Sequence, residues 1–577
     1  MSVIKGFSRL ISTTTGLRPL SSRLRNGVIL LAGLCIFQSS RLEAAPLSPA
    51  ERDSIELQQR QLLQQNQQQR QELERSLTPT QTSPATPAPT STTCFPLDTI
   101  TLTGADHMPA RVQQRLIQPY VHQCDGIAQI NALVKQVSDW YIAEGYITSR
   151  AFLTEQDLSQ GTLTLRVMEG KLEAIHMDNQ PRRTLTMAFP GLTGNILNLR
   201  DIEQGMEQIN RLRAIPVQVE IQPGSQPGYS IVNLTAKPQF PLNASLGFDN
   251  SGQKRTGVGQ VNGSLTGNNL LGLADQWFVS GARSSDFASD HDAQSVQAGV
   301  SVPYGYWNLD YSYSYSNYLS TLQSQGYDWR SSGDSQSHRM TLSRVLFRNG
   351  QMKTAASLGV NHRLDRNYLN DVALQSSSRS LSSWTAGINH SQKIAGGYAT
   401  LNPAFSRGVP WLGGEDDAGK SADTPRAEFS KWTLSGSYYL PLIQRVTWLS
   451  SLYGQWSDDR LYGSERLTLG GESSVRGFKE QYLSGDRGGY WRNELDTQVG
   501  SLPGLGQISS VAALDGGYLQ HDNDDSNAAG TLWGAAIGLA SSNGHIASQF
   551  TVGWPLSYPA TLTPDRVTVY YRLAITL

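Results

Sequence analysis

The chain has 577 residues, with 47 lysines and arginines against 48 aspartates and glutamates, a formal charge of −1 that gives no basic footprint for nucleic acid. Charged residues make up 16%, under the ~25% of ordinary soluble domains, while Gly, Tyr and Trp number 54, 23 and 12. The longest strongly apolar run, Gly27 to Phe37, is eleven residues long; a membrane-spanning helix needs about 20, so a helical membrane protein is excluded.

That run follows Lys5, Arg9, Arg18, Arg23 and Arg25 and precedes Glu43-Ala44-Ala45, the layout of a secretory signal over 1–45 with the mature chain starting near Pro46. Cys35 then leaves with the signal. Cys94 and Cys124 remain, and in an oxidising compartment they are expected to form one disulfide, worth roughly 3 kcal/mol to a small domain in the chain-entropy model.

Ser48-Pro49-Ala50-Glu51 reads as a helix start: Ser48 can cap free N–H groups, Pro49 has none to lose, and Glu51 closes a capping box. The helix is predicted to run to about Ser76, within a segment 46–77. Its apolar positions are few (Ile55, Leu57, Leu62, Leu63, Leu73) and the rest is Gln with both signs of charge. A helix that is polar nearly all round bridges solvent, is unstable alone, or sits in a polar cavity; a Gln-rich disordered tail has the same composition. Residues 78–93, rich in Thr and Pro, read as a semi-extended linker.

From Cys94 to Pro238 the pattern is that of two small α+β modules. In the first (94–170), strands are predicted at Thr99–Leu102, Tyr146–Leu153 and Thr162–Met168, with helices at Ala110–Tyr120 and Ile127–Ala143. The second (171–238) reads as a strand at Lys171–Met177, a turn segment to Leu192, a helix at Leu199–Leu212 capped by Asn198, and strands at Val217–Ile221 and Ser230–Ala236. From 239 to 577 the texture becomes strict alternation, as in Leu309, Tyr311, Tyr313 and Tyr315 against Asn308, Asp310, Ser312, Ser314 and Ser316. Many such segments behind an export signal, rich in Trp and Tyr and low in charge, fit a membrane β-barrel. At about 21 residues per strand with its share of loop, there is room for about sixteen antiparallel strands.

The order of signal, polar helix, Pro/Thr linker, two modules and barrel resembles the outer-membrane transporters of two-partner secretion, members of the Omp85 superfamily. Cys94-Phe95-Pro96, Gly145-Tyr146 with Arg150, Gly161, and Glu169-Gly170 are similar to that family's first periplasmic POTRA domain. Leu199-Arg200-Asp201-Ile202-Glu203-Gln204-Gly205 is similar to its second, and Asp249-Asn250-Ser251-Gly252 to its first barrel hairpin. Val475-Arg476-Gly477-Phe478, after Leu467-Thr468-Leu469-Gly470-Gly471, resembles the VRGF tip of the long sixth loop, which in this superfamily folds into the lumen. There the arginine meets an acidic residue of a D-x-G strand, and Asp515 in Leu514-Asp515-Gly516-Gly517 occupies that position. Strand parity sends Asp515 inward with Val511 and Ala513 and turns Ala512, Leu514 and Tyr518 to lipid. Out of that context Arg476 would read as part of an ordinary Gly-rich surface turn.

The resemblance implies a membrane all-β barrel preceded by two α+β POTRA domains and a plug helix, located in the bacterial outer membrane with the POTRA domains in the periplasm. Its function would be secretion of a cognate large exoprotein of haemolysin, adhesin or contact-dependent toxin type, with the POTRA domains recognising the partner, the VRGF loop gating the barrel and Arg476 with Asp515 as the gating lock. The expected partners are that exoprotein's N-terminal secretion domain, outer-membrane lipid and the barrel-assembly machinery, which would read the terminal Leu577 where such barrels commonly end in Phe. An Omp85-type insertase, or a diffusion porin, is the alternative. An enzyme is not expected. Gly414 to Ser421 fits G-x4-G-K-S, but Pro410 and Pro425 flank it and Glu415, Asp416 and Asp417 would repel a nucleotide, so it reads as a barrel loop. The acidic runs Asp286–Asp292 and His521–Asp525 read as solvated loops; no metal and no cofactor are expected.

Overall fold

The computed structural model describes residues 47–75, 94–177, 182–212, 217–237, 239–421, 424–521 and 529–577. The expected signal (1–45) and linker (78–93) lie outside the described residues, as does the acidic run after His521.

The N-terminal helix spans Pro49–Glu74. Its capping box is complete: Glu51 N–H donates to Ser48 Oγ at 3.3 Å, and Ser48 N–H donates to Glu51 Oε2 at 2.9 Å.

The first module holds helices at Ala110–Ile117 and Ile127–Ala143, packed on a three-stranded sheet ordered Thr99–Thr103, Thr162–Met168, Arg150–Leu153. Its core is Ile130, Leu133, Val137, Tyr141, Leu163 and Leu165, none of them exposed. The structure corrects the sequence reading twice here. An extra antiparallel pair, Cys94–Leu97 with Gln123–Gly126, precedes and divides the predicted elements, and the disulfide Cys94–Cys124 ties it together across a Cα–Cα distance of 5.2 Å. The strand expected from Tyr146 begins only at Arg150, because Gly145 at φ +97° and the turn bond from Ile147 N–H to Gly145 C=O hold Tyr146–Ser149 out of the ladder.

In the second module Lys171–Met177, Tyr229–Thr235 and Gln218–Pro223 form the sheet, and the helix Leu199–Asn210 starts where Asn198 Oδ1 accepts from Arg200 N–H at 2.8 Å. The segment expected as a turn contains a second helix, Arg182–Ala188. Thr184, fully enclosed in it, donates to the Gly272 carbonyl at 3.0 Å, so docking on a barrel turn stabilises a helix too short to be legible by periodicity.

Sixteen long antiparallel strands close the barrel, from Leu242–Asp249 to Thr568–Thr576, which pair with each other over Asp249↔Arg572 to Ser245↔Thr576. The two-residue strand Val372–Ala373 is appended to Met352–Leu369. Alternation sorts the wall as expected: Leu246, Val279, Leu358, Trp432, Leu514, Ile537 and Phe550 point outward as an apolar band, and Ser435, Ser451, Asp515 and Thr551 point into the lumen.

Candidate functional site

The lumen holds two occupants, the tip of the sixth loop and the N-terminal helix. The loop between Val446–Ser457 and Gly488–Leu502 turns back inward on a small hairpin, Leu467–Leu469 against Leu483–Gly485. Leu467, Leu469, Val475, Phe478 and Leu483 bury themselves against Tyr490, Leu519, Leu532 and Leu562 to make a dry core inside the barrel. Val475 and Phe478 have no exposed surface, and the Phe478 ring meets Tyr558 edge-on at 6.0 Å.

Beside this core Arg476 grips Asp515 with a fork. Nε donates to Oδ2 and Nη2 to Oδ1, both at 2.6 Å, and the Arg476 backbone N–H adds a third bond to Oδ2 at 3.1 Å. A parallel pair of charge-assisted bonds fixes direction as well as distance. The remaining nitrogen, Nη1, lies 3.0 Å from Glu494 Oε1, which also accepts from Arg492 at 2.7 Å. Glu494 and Arg492 escaped the sequence reading; alternation places them inward, but which loop atoms stand opposite is set by how the loop folds back.

The close approach requires glycine. Gly477 sits at φ +98°, where a Cβ would lie 2.5–2.8 Å from the Trp554–Pro555 backbone, and a Cβ on Gly534 would lie 1.8 Å from the Arg476 carbonyl oxygen. Gly477 N–H donates to the Tyr570 hydroxyl at 3.3 Å.

The N-terminal helix is held differently. Near its start, Asp53 accepts from Gln253 at 2.7 Å and Ser54 accepts from Arg363 at 2.6 Å. Arg52 reaches the sixth loop, donating to the Lys479 carbonyl and lying 3.7 Å from Glu480, and Gln59 donates to the Thr468 carbonyl at 2.8 Å. Further along, Asn66 Oδ1 accepts from Thr400 at 3.0 Å and Asn402 at 2.8 Å, while Gln65 and Gln69 donate to Asn389 and Asn402 at 2.9 and 3.0 Å. Arg70 stacks on Tyr439 at 4.1 Å. Of the five apolar residues counted from sequence, Ile55 and Leu73 are buried; Asn66 and Gln59, both buried, carry polar contacts instead.

Except for Gly161, at the far end of the strand Thr162–Met168, the first module's motif residues gather at its joint with the second. Gly145 packs so tightly on Asn198 that a Cβ would lie 2.5 Å from Oδ1, and its carbonyl accepts from Leu199 N–H at 2.8 Å. The Gly170 carbonyl accepts from Leu197 N–H at 2.8 Å. Arg150 ties off the intervening turn by donating to the Ile147 and Ser149 carbonyls. The Tyr146 ring lies 5.9 Å from both Tyr141 and His107. Glu169 accepts from His107 N–H, His107 Nδ1 and Tyr141 Oη at 2.7, 2.7 and 2.8 Å. Burial pushes the Glu169 carboxyl up, but these bonds outweigh it and hold it below the usual carboxylate range. Gly161, at φ +70°, receives Asp98 N–H and Thr99 N–H on its carbonyl.

The second module docks onto the barrel's short turns. Gln204 and Gln208 donate to the Gly305 carbonyl at 3.1 and 3.3 Å, Arg211 donates to Ser301 Oγ at 2.8 Å and the Ala274 carbonyl at 2.7 Å, and the Tyr306 hydroxyl donates to Asp201 at 2.6 Å. At the opposite end, Lys420 of the G-x4-G-K-S segment lies in the loop between Gly397–Gly408 and Ser430–Ile443. It is occupied by Asp417 at 3.2 Å, Glu415 at 3.5 Å and the Tyr462 hydroxyl at 3.1 Å. Among the described residues no cluster of three His, Cys, Asp or Glu side chains is arranged to hold a metal ion.

Residues 228–541 match the family of haemolysin secretion/activation proteins ShlB/FhaC/HecB, residues 95–170 a ShlB-type POTRA domain, and residues 171–223 a further POTRA domain. The chain is 56% identical to the outer membrane transporter CdiB of Escherichia coli over 549 residues, 95% of this chain and 93% of that protein. It is 30% identical to the hemolysin transporter protein ShlB of Serratia marcescens, over 85% and 88% of the two chains. The solved structure of CdiB from Escherichia coli superposes with a TM-score of 0.90 over 92% of this chain and 100% of that one; CdiB from Acinetobacter baumannii, 24% identical over the same shares, shares the fold at 0.76. The chain belongs to the ShlB/FhaC/HecB family: it is a non-enzymatic outer-membrane transporter of two-partner secretion, acting with a secreted exoprotein and carrying its POTRA domains in the periplasm.

Proposed function

We propose that the N-terminal helix is a releasable plug of the resting pore, that the POTRA domains take the partner's secretion domain, and that the Arg476–Asp515 fork keeps the sixth-loop tip seated while the pore works. The observation that carries this reading is the chemistry of the helix–wall contact. Amide and hydroxyl bonds such as Asn66 with Thr400 and Asn402 are worth about 1 kcal/mol or less each once water can replace them. A helix held by separate polar contacts stays in place at rest and leaves by exchanging them for water, with no apolar core of its own to break. The expected tether over 78–93 would let it depart without being lost.

Partner capture has a physical route through open sheet edges. Arg150–Leu153, carrying the exposed Phe152, is an edge strand of the first POTRA sheet. An extended chain can add there, its backbone giving affinity and its alternate side chains specificity. No nucleotide is available in the periplasm, so vectorial movement would come from the partner folding outside the cell. The secreted cargo is of the haemolysin, adhesin or contact-dependent toxin type. The outward apolar band meets outer-membrane lipid, and the barrel-assembly machinery inserts the chain.

Deleting residues 46–77 should raise single-channel conductance in planar bilayers; unchanged conductance would remove the plug from this account. Co-expression with a large exported protein encoded beside the chain should place that protein in the medium, and its retention in the periplasm would favour an insertase.

A further inference from the structure

At the periplasmic rim three parts of the chain converge on one ammonium group. Lys353, at the start of the strand Met352–Leu369, donates to Glu72 Oε2 in the last turn of the N-terminal helix at 2.8 Å and to Glu207 Oε1 on the POTRA helix Leu199–Asn210. Across the same short turn, Arg348 lies 3.2 Å from Glu207 Oε2 and 3.8 Å from Glu203 Oε2 and donates to Gln204 Oε1 at 2.6 Å. Glu203 is further held by Arg200 at 2.7 and 2.8 Å. The Lys353 and Glu207 side chains are 15% and 16% exposed, those of Arg348 and Glu203 5% and 3%, and that of Glu72 36%.

The POTRA carboxylates are paired directly with the guanidinium groups of Arg348 and Arg200, and Arg348 also attracts Glu72 through space. Glu72 reaches this cluster through Lys353, which it shares with Glu207. Two carboxylates on one ammonium each attract it, but they repel each other, so the presence of either weakens the hold of the other. By linkage the effect is reciprocal.

We propose that Lys353 is the positioning residue that couples plug retention to POTRA docking, with a negative sign. While the second POTRA domain is docked, Glu207 keeps Glu72 loosely held and the plug ready to leave. When the plug departs, Lys353 turns wholly to Glu207, and the domain clamps the rim more firmly while the pore is open. This inference rests on the helix being a plug and adds the device that times its release.

The test is the opening frequency of the full-length protein in planar bilayers. Glu72→Gln should raise it by about two- to fivefold, the range expected for a partly exposed ion pair. Glu207→Gln should lower it by about twofold, and that decrease should vanish in the Glu72→Gln background. Lys353→Met should raise it. A purely structural rim would open more often with either glutamine variant, so an increase or no change with Glu207→Gln overturns the coupling. Glu207→Asp, which keeps the charge, should behave as wild type; if it lowers the frequency as Glu207→Gln does, the effect is one of packing and the coupling fails. Deletion of 46–77 separates the two readings: an unaltered deletion variant defeats the plug itself, whereas an open deletion variant with the wrong sign at Glu207 defeats only the coupling.

Discussion

The two occupants of the lumen are held by opposite means. The sixth-loop tip is dry, with Val475 and Phe478 fully enclosed and a guanidinium forked onto a carboxylate that has no exposure at all. The N-terminal helix touches the wall and the loop through separate polar contacts, amides and hydroxyls together with the charged side chains of Arg52, Asp53, Arg70 and Glu72. On the proposed reading, a pore keeps a permanent fixture and a removable one in the same cavity by choosing between a dry apolar core and separate polar contacts.

The contrast breaks most completely at Arg476. Arg476→Ala leaves Asp515 charged and unpaired in the interior, a cost of about 3–5 kcal/mol that shifts seating of the loop tip by a hundredfold or more. Partner protein in the medium should fall accordingly, while heat-modifiable mobility on gels still reports a closed barrel. Removing Cys94 or Cys124 should cost the first POTRA domain roughly 3 kcal/mol in the chain-entropy model, read as faster proteolysis of that domain with the barrel untouched. Gly477→Ala should act as a weaker Arg476→Ala: a left-handed φ and a Cβ against the Trp554–Pro555 backbone cost about 1–3 kcal/mol, measured as partial loss of secretion. Gln65→Ala and Gln69→Ala sit at the small end, each removing about 1 kcal/mol or less, and should raise the opening frequency slightly without reducing secretion.

Much of this was legible because the signals are local. Ser48 and Glu51 announce a helix start, period-two alternation sorts lipid-facing Leu514 and Tyr518 from lumen-facing Asp515, and Gly-rich Val475–Phe478 with Leu514–Gly517 carries the resemblance that pairs Arg476 with Asp515. What escaped depends on contacts distant in the chain. The helix Arg182–Ala188 is stabilised by Thr184 on a barrel turn. The strand pair Cys94–Leu97 and Gln123–Gly126 is too short to show a period. Glu494 beside Arg476, and Lys353 between Glu72 and Glu207, follow from loop and domain placement that periodicity does not encode. The first POTRA motif residues were visible as a pattern, yet their work, bracing the joint through Gly145 and Gly170, became readable only once Asn198 and Leu197 stood opposite them.

The most direct test of a releasable helix beside a fixed loop is to make the helix unreleasable. In a Gln65→Cys, Asn389→Cys variant, where the native amides meet end to end at 2.9 Å, a bis-methanethiosulfonate crosslinker that spans the two shortened side chains should tie the helix to the wall. Partner secretion should then stop and return on reduction, while wild type carried through the same crosslinking and reduction secretes throughout. Undiminished secretion with the bond formed would contradict the account.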